Sequence, residues 1–318
     1  MTEAVKAYLG EDWKAFERLF EESLSSRIDI LNKVNRYMVE RSGKQLRPML
    51  CLLAARLCAD SCTPASIRCA VASEIIHTAT LMHDDVADKS DIRRGFPTGS
   101  AMLSPPAAVL VGDFWLSRGV ASVLDAGDSE IFRYFTVCLG ELAEGEMFQI
   151  EKAESLDTVL EDYIYIVSHK TSSLFRAAMK SGARSVGASD EAVAAVDAFA
   201  LHLGQAFQMR DDILDYSPSL SIGKPTGQDV RERKITLPLI GAFENAGAAA
   251  RAAVVADIEA DRFDGILQFV VEHGGIEYAQ QVLEKETALA VDSLAVFPDI
   301  PAKVLLCRLA ASLCLRQA

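Results

Sequence analysis

The chain has little positive charge for its size. Its 318 residues hold 32 Lys and Arg against 45 Asp and Glu, a formal net charge of -13. Proteins that bind nucleic acids neutralise phosphates with clustered Lys and Arg. The acidic balance therefore argues against a nucleic-acid partner, and an anionic substrate would need a locally basic site.

The sequence also lacks paired cysteines, a secretory leader and a long uncharged apolar run. Its 7 cysteines form no CxxC pair and no zinc-site spacing, which indicates a reducing compartment. The N-terminal segment MTEAVKAYLGEDWKAFERLF has no basic region followed by an apolar one. The most apolar stretch, AAVLVGDFWLSRGVASVL, is interrupted by Asp113 and Arg118, which a bilayer disfavours. We therefore expect a cytoplasmic protein without a membrane span.

Strand-like alternation of apolar and polar residues is missing, and helical spacing takes its place. Ile67, Val71 and Ile75 recur at intervals of four, and similar spacing runs through most of the chain. Segments from about Pro64 to Asp88 and from about Ser189 to Tyr216 are apolar on more than one face, as central helices are. The sequence predicts an all-α protein with long helices in a single domain over residues 1–318.

Each of these two central segments ends in a pair of aspartates. Asp84 and Asp88 lie in LMHDDVADKSD, and Asp211 and Asp215 lie in FQMRDDILDY. A separation of four puts each pair on one helical face, where like charges repel unless a cation binds. Oxygen ligands without His or Cys clusters favour Mg²⁺, which completes its shell with water and substrate phosphate. The alternative for one such cluster is a solvated helix end, but a second copy, again followed by a basic loop, favours metal–diphosphate sites.

Basic residues recur in loops and at helix starts, where they are candidate phosphate contacts or ordinary surface charges. They are Lys44, Arg47, Arg93, Arg94, Lys170, Lys224 and Lys234. His77 precedes Asp84 by two helical turns and could donate to a second phosphate, or it could be a core histidine. Gln208 shares a face with Asp211, so its amide oxygen could face a developing cation, although a bystander role is the alternative.

Six segments together resemble one family. GKQLRP, HTATLMHDDVADKSDIRRG, EGEMFQ, HKTSSLF, AFQMRDDILD and GKPTGQDVRERKITLP occur in that order between Gly43 and Pro238. In these segments the chain is similar to the trans-isoprenyl diphosphate synthases, or polyprenyl synthetases, and among them to the medium- and long-chain members. The resemblance implies a bundle of long antiparallel helices around a central cavity, and a homodimer.

The resemblance also implies roles for individual residues. Asp84 and Asp88 would hold two Mg²⁺ and Asp211 a third, all bridging to an allylic diphosphate, with Asp85, Asp212 and Asp215 in support. Arg93, Lys170, Lys224 and Lys234 would clamp that diphosphate. Lys44, Arg47, His77 and Arg94 would bind isopentenyl diphosphate, and Thr171 and Gln208 would line the path of the carbocation. The expected reaction is ionisation, condensation and proton loss, with the segment Pro218 to Arg233 as a lid that excludes water.

Product length in this family depends on the depth of an apolar tunnel below the first motif. Ala79 and Thr80, five and four residues before Asp84, are small, which resembles the long-chain members and predicts a product longer than C20. Phe135 is the candidate floor of the tunnel, and ordinary core packing is the alternative. Phe96, which follows RRG, departs from the more usual polar or basic residue.

Three other functions are open to this pattern. A class I terpene cyclase shares the first motif, but its second normally mixes Asn or Asp with Ser, Thr and Glu. A helical HD-type metal phosphohydrolase is suggested by the adjacent His83 and Asp84. A non-catalytic subunit of a two-component synthase is the third, and intact aspartates in both motifs argue against it.

Overall fold

The computed structural model describes residues 1–93, 95–216 and 227–314. In these ranges it is built from helices and one small hairpin, and the expected all-α class is confirmed. The first helices are α1 Thr2–Leu9, α2 Glu11–Ser23, α3 Asp29–Val39, α4 Leu46–Cys58, α5 Pro64–Ala87, α6 Gly99–Met102, α7 Pro105–Leu124 and α8 Ser129–Ser155. The remaining helices are α9 Leu160–Val167, α10 Ser173–Arg184, α11 Asp190–Asp215, α12 Gln228–Arg231, α13 Leu237–Ala246, α14 Ala248–Glu259, α15 Ile266–Glu272, α16 Gly275–Ser293 and α17 Pro301–Cys314.

Four further elements in the described residues are not α-helical. Strands β1 Ile92–Arg93 and β2 Phe96–Pro97 form an antiparallel hairpin in which Arg93 pairs with Phe96. A π-helical turn, Ser168–Ser172, joins α9 to α10, and a 3₁₀ turn, Leu294–Val296, follows α16. A π-turn inside a helix is rare and frequently marks a functional site.

The chain divides into two compact units. The first comprises Met1–Val137, Arg176–Asp197 and Phe297–Leu306, and the second comprises Cys138–Phe175, Ala198–Val296 and residues 307–314. The expectation of a single domain therefore stays a prediction.

The first unit is organised by α5, which matches the predicted segment from Pro64 to Asp88. A capping box starts it, because Thr63 Oγ1 accepts from the Ser66 amide at 3.2 Å and Ser66 Oγ accepts from the Thr63 amide at 3.0 Å. Helix α7 packs closely against α5. A Cβ added at Gly119 would lie 2.7 Å from Ile76, so only glycine allows this approach. The first aspartate motif lies at the C-terminal end of α5, and the buried faces of this helix fix the position of that end.

In the second unit, α9 and the π-turn contact the end of α11, which carries the second motif. A Cβ at Gly204 of α11 would lie 2.5 Å from Ser172 Oγ, and one at Gly145 of α8 would lie 2.8 Å from the His169 Cβ. Both glycines therefore let neighbouring helices approach the π-turn closely. Elsewhere in this unit, Gly241 of α13 gives room to the ring of Tyr278 on α16.

Helix α7 is also the one helix in the described residues that is long and apolar enough to cross a membrane. Of its most apolar window 39% is buried inside the protein, and core helices of proteins that never enter a membrane pass the same test.

Candidate active site

The first aspartate motif occupies the end of α5. Asp84 is half-buried, Asp85 is buried and Asp88 is exposed at the C-cap, so the three carboxylates have different surroundings. Carboxylates at a helix C-terminus oppose the helix dipole as well as one another. A bound cation would relieve both costs.

Asp85 is turned toward the hairpin. Its Oδ1 accepts a hydrogen bond from Arg93 Nε at 2.7 Å. Burial raises the pKa of Asp85, although the bond and charge of Arg93 oppose that rise. The pair fixes Arg93 beside the motif, and the supporting role of Asp85 at a metal–diphosphate site stays a prediction.

A cavity of about 540 Å³ opens beside this pair in the first unit. It brings together three residues singled out from the sequence, His77, Asp85 and Arg93, with walls from the end of α3 and the hairpin. Lys44 is exposed on the loop before α4 and Arg47 is half-buried in the first turn of α4. Neither lines the cavity, although Gly43, next to Lys44, does. Arg94 lies outside the described residues.

The second motif ends α11. Asp211 is exposed, Asp212 is buried and Asp215 is half-buried. Asp215 Oδ1 accepts from the Gln228 amide at 3.1 Å and Oδ2 from the Asp229 amide at 3.0 Å. The Asp215 carboxylate thus holds the start of α12, a supporting contact that the spacing of the motif does not reveal.

Asp212 belongs to a chain of hydrogen bonds in a second cavity. Thr171 Oγ1 donates to Gln208 Oε1 at 3.0 Å, and Gln208 Nε2 donates to Asp212 Oδ1 at 2.9 Å. Tyr163 Oη donates to Asp212 Oδ2 at 2.6 Å. The Gln208 oxygen, expected to face a cation, accepts from Thr171 instead. All four residues line a cavity of about 120 Å³ in the second unit.

Three lysines line the same cavity, and two of them, Lys170 and Lys234, are among the four residues that the resemblance assigns to a diphosphate clamp. Lys170, on the π-turn, forms an ion pair with Glu146, and its Nζ lies 3.5 Å from Gln149 Oε1. Lys234 forms an ion pair with Glu232. Lys170 and Lys234 are therefore each paired with a glutamate, although neither glutamate lines the cavity.

Negative charge is concentrated here. Asp229 lines the cavity near Asp212, and burial followed by neighbouring carboxylates raises the pKa of both. Sequence reasoning missed Asp229, Tyr163 and Glu146. The acidic residue within the basic segment GQDVRERK and the EGE of EGEMFQ were available signals for the first and third.

The donor set fits Mg²⁺ bound together with a diphosphate. Among the described residues no group of three or more His, Cys, Asp or Glu could hold a metal ion by itself. Mg²⁺ commonly takes one or two protein carboxylates and fills its shell with water and substrate phosphate. Asp84 with Asp88, and Asp211 near the end of α11, offer such incomplete sets.

The residues predicted to set product length are all in the first unit. Ala79 is buried, Thr80 is half-buried and donates to the His77 carbonyl at 2.8 Å, and Phe135 is buried. They line neither of the two cavities described above, so their role stays a prediction. Lys224 and residues 218–226 of the predicted lid lie outside the described residues.

With this geometry in place, comparison with known proteins identifies the class. The family model of polyprenyl synthetases matches residues 28–269. The chain belongs to the polyprenyl synthetase family, so the resemblance predicted from the six segments is confirmed.

Individual relatives cover nearly the whole chain. An all-trans-nonaprenyl-diphosphate synthase (geranyl-diphosphate specific) from Rhodobacter capsulatus is 35% identical over 299 residues, 93% of this chain and 92% of that protein. An octaprenyl diphosphate synthase from Escherichia coli is 33% identical over 304 residues, 94% of each chain.

Solved structures agree in fold. A decaprenyl diphosphate synthase from Rhodobacter capsulatus matches with a TM-score of 0.94 and 36% identity over 100% of both chains. A polyprenyl synthase from Caulobacter crescentus, complexed with calcium and isoprenyl diphosphate, matches with a TM-score of 0.91 and 31% identity over 100% of this chain and 98% of that one. The all-helical architecture is therefore that of the isoprenyl diphosphate synthases.

Proposed function

We propose that this protein is a Mg²⁺-dependent prenyltransferase that condenses isopentenyl diphosphate with an allylic diphosphate to make an all-trans polyprenyl diphosphate. The observation that carries the proposal is the second cavity, where Lys170, Lys234, Thr171 and Gln208 converge beside Asp212 and the second motif. The two lysines can stabilise the negative charge of a departing diphosphate, and the hydrogen-bonded side chains of Thr171, Gln208 and Asp212 can stabilise the carbocation that remains.

In this proposal the chain's own residues bind the two diphosphate substrates, orient them and stabilise the charges that develop during the reaction. Lys170 and Lys234 exchange their partners Glu146 and Glu232 for diphosphate oxygens, and Arg93 remains anchored by Asp85. Thr171 and Gln208 lie next to the reacting carbon. The family motifs assign Lys44, Arg47, His77 and Arg94 to isopentenyl diphosphate, with Lys224 on the allylic side.

Mg²⁺, for which we propose three ions, would be held by Asp84, Asp88 and Asp211, with Asp215 supporting the second motif, and would neutralise diphosphate charge as the C–O bond breaks. The carboxylates of both motifs and Asp229 make the site locally acidic, so cations beside an anionic substrate would lower its repulsion from these groups. The relative solved with calcium and isoprenyl diphosphate supports a divalent cation beside this ligand class.

We propose a product longer than C20. The R. capsulatus and E. coli relatives are named as nonaprenyl and octaprenyl synthases, and small residues at Ala79 and Thr80 leave room below the first motif. We also propose that the protein is cytoplasmic and a homodimer. An apolar stripe on α7, with Leu110 68% and Leu124 66% exposed, supports the homodimer.

The test is to incubate purified protein with Mg²⁺, labelled isopentenyl diphosphate and allylic primers of several lengths, and to size the products by chromatography. We expect chains longer than C20 and no product after chelation by EDTA. Asp84→Asn and Asp211→Asn should each lower turnover by at least about a hundredfold, since each removes a charge from a metal ligand.

Asp292→Asn, at an exposed aspartate on α16 that lines neither cavity, is the matched control and should keep activity near that of the unaltered protein. Cyclic hydrocarbon from an allylic substrate alone would indicate a terpene cyclase, and phosphate release without isopentenyl diphosphate would indicate a phosphohydrolase. Absence of turnover by the protein alone, with turnover after a partner is added, would indicate the non-catalytic subunit.

A further inference from the structure

One arginine that lines the cavity of the first unit lies outside the six family segments and has been assigned no function above. Arg41 follows α3 and lines the cavity of about 540 Å³ together with His77 and Arg93. Cations in such a cavity are either paired with carboxylates or available to an anionic ligand. The contacts of Arg41 decide between these possibilities.

Arg41 is held mainly by aromatic rings. Its guanidinium carbon lies 3.9 Å from the ring centre of Tyr37 and 4.9 Å from that of Phe96. Both distances fall within the range of cation–π attraction, and planar stacking of this kind is a property of arginine rather than lysine. The two rings hold the guanidinium at the cavity wall without neutralising its charge.

The polar partners of Arg41 leave hydrogen-bonding capacity unused. Nη1 donates to the Tyr37 carbonyl and to Glu40 Oε2, each at 3.1 Å, while Nε is buried without a partner among the described residues. The Glu40 side chain is 68% exposed. An exposed ion pair of this kind contributes little, so an incoming anion can displace it.

The hairpin is tied to the same site. Tyr37 Oη donates to the Pro97 carbonyl at 2.9 Å, and Phe96, 48% exposed, contacts Arg41 with its ring. The aromatic residue that departs from the family pattern therefore has a physical role, because it connects the strand pair carrying Arg93 to the end of α3.

We propose that Arg41 is a further diphosphate-binding residue of the isopentenyl diphosphate site, positioned by Tyr37 and Phe96. This inference rests on the proposed function. His77, which the motifs assign to isopentenyl diphosphate, supplies a neighbouring polar contact, and Leu81 and the Phe96 ring supply an apolar wall for the isopentenyl group. Arg93 is paired with a buried carboxylate, Asp85, whereas the partner of Arg41, Glu40, is exposed on the same wall, so Arg41 is the arginine of this wall whose partner an anion can replace.

The test measures steady-state kinetics for both substrates and binding of isopentenyl diphosphate alone, which has no allylic partner to react with, by calorimetry. Arg41→Gln should raise KM and Kd for isopentenyl diphosphate by about ten- to a hundredfold, the loss expected for hydrogen bonds to a charged group. KM for the allylic substrate should change less than threefold. Arg41→Lys and Phe96→Leu should give intermediate increases, because charge remains but the stacked geometry is lost.

Arg133→Gln is the matched control, since Arg133 also lies near a ring, Tyr134 at 5.7 Å, and also pairs with an exposed glutamate, but it lines neither cavity. Unchanged affinity for isopentenyl diphosphate in folded Arg41→Gln overturns the proposal, as does an equal rise in both KM values. If Arg41→Gln fails to fold, the affinities of Arg41→Lys and Phe96→Leu decide in the same way. No turnover by the unaltered protein would instead contradict the proposed function.

Discussion

At the scale of single residues, the buried carboxylate of Asp212 depends on neutral donors. Tyr163 Oη lies 2.6 Å from Asp212 Oδ2, and both side chains are buried. Tyr163→Phe would leave one carboxylate oxygen without its donor, so we expect unfolding free energy to fall by about 1–3 kcal/mol. Urea denaturation measures this change. Tyr165→Phe, at a side chain 40% exposed, should cost less than about 0.5 kcal/mol, and equal losses in the two variants would contradict the argument.

Phe135 offers a test of product length at the same scale. Its ring is buried in the first part of α8. If it closes the apolar tunnel, Phe135→Ala should shift the products to longer chains, at a cost of about 3–5 kcal/mol in stability. Product sizing at low temperature, with folding checked by circular dichroism, gives the answer.

Phe132→Ala, one turn earlier on α8 and 36% exposed, should leave the product distribution unchanged. An unchanged distribution in folded Phe135→Ala would remove Phe135 from this role and leave it as core packing.

Residues that act within one helix were predictable from sequence, and residues that act through tertiary contacts were not. A separation of four placed Asp84 with Asp88, and Asp211 with Asp215, at helix ends as expected. The bonds from the Gln228 and Asp229 amides to Asp215 span more than ten residues of chain, and no periodicity encodes them. The same holds for Tyr163, whose partner Asp212 lies on a different helix.

At the scale of elements, some glycines lie where two helices approach too closely for a side chain. A Cβ at Gly182 of α10 would lie 2.0 Å from the carbonyl oxygen of Cys51 on α4, and backbone cannot yield as a flexible side chain does. We expect Gly182→Ala to lower the unfolding free energy by about 1–3 kcal/mol or more. Thermal and urea denaturation would measure the loss.

Gly140 of α8 is the matched control for Gly182. It is exposed, and a Cβ there would meet nothing within 4 Å. Gly140→Ala should therefore stabilise the protein by up to about 1 kcal/mol through helix propensity. Destabilisation by both variants would show that helix approach is not what selects glycine at position 182.

Element boundaries were largely predictable, but one irregularity was not. Pro64 and Asp88 bracket α5 because Pro suits the first helical turn and Thr63 caps it. The π-turn Ser168–Ser172 follows no compositional signal in HKTSSLF, whose apolar spacing would equally continue an α-helix. It is accommodated by the close approaches at Gly145 and Gly204, which only the packed structure reveals.

At the scale of the whole molecule, α7 exposes apolar side chains on one face. Exposing them to water costs free energy unless another molecule covers that face. Leu110, Phe114, Ala121 and Leu124 recur at intervals that place them on one helical face, and of these Leu110, Ala121 and Leu124 are exposed. Exposed apolar residues aligned in this way, interrupted only by the exposed Ser117, favour an interaction surface. With the homodimer proposed above, we expect light scattering to give twice the mass of one chain.

The double variant Leu110→Glu/Leu124→Glu should convert that dimer to a monomer, because a charged side chain buried at an interface is strongly disfavoured. Val271→Glu, at another exposed apolar residue, 55% exposed on α15, should leave the dimer intact. The same apolar face could instead bind a membrane surface. Co-sedimentation with vesicles of neutral and anionic lipid tests this alternative. Lipid binding by an unaltered monomer that the double variant abolishes would assign α7 to a membrane surface, and a monomer without lipid binding would remove the stripe from either role.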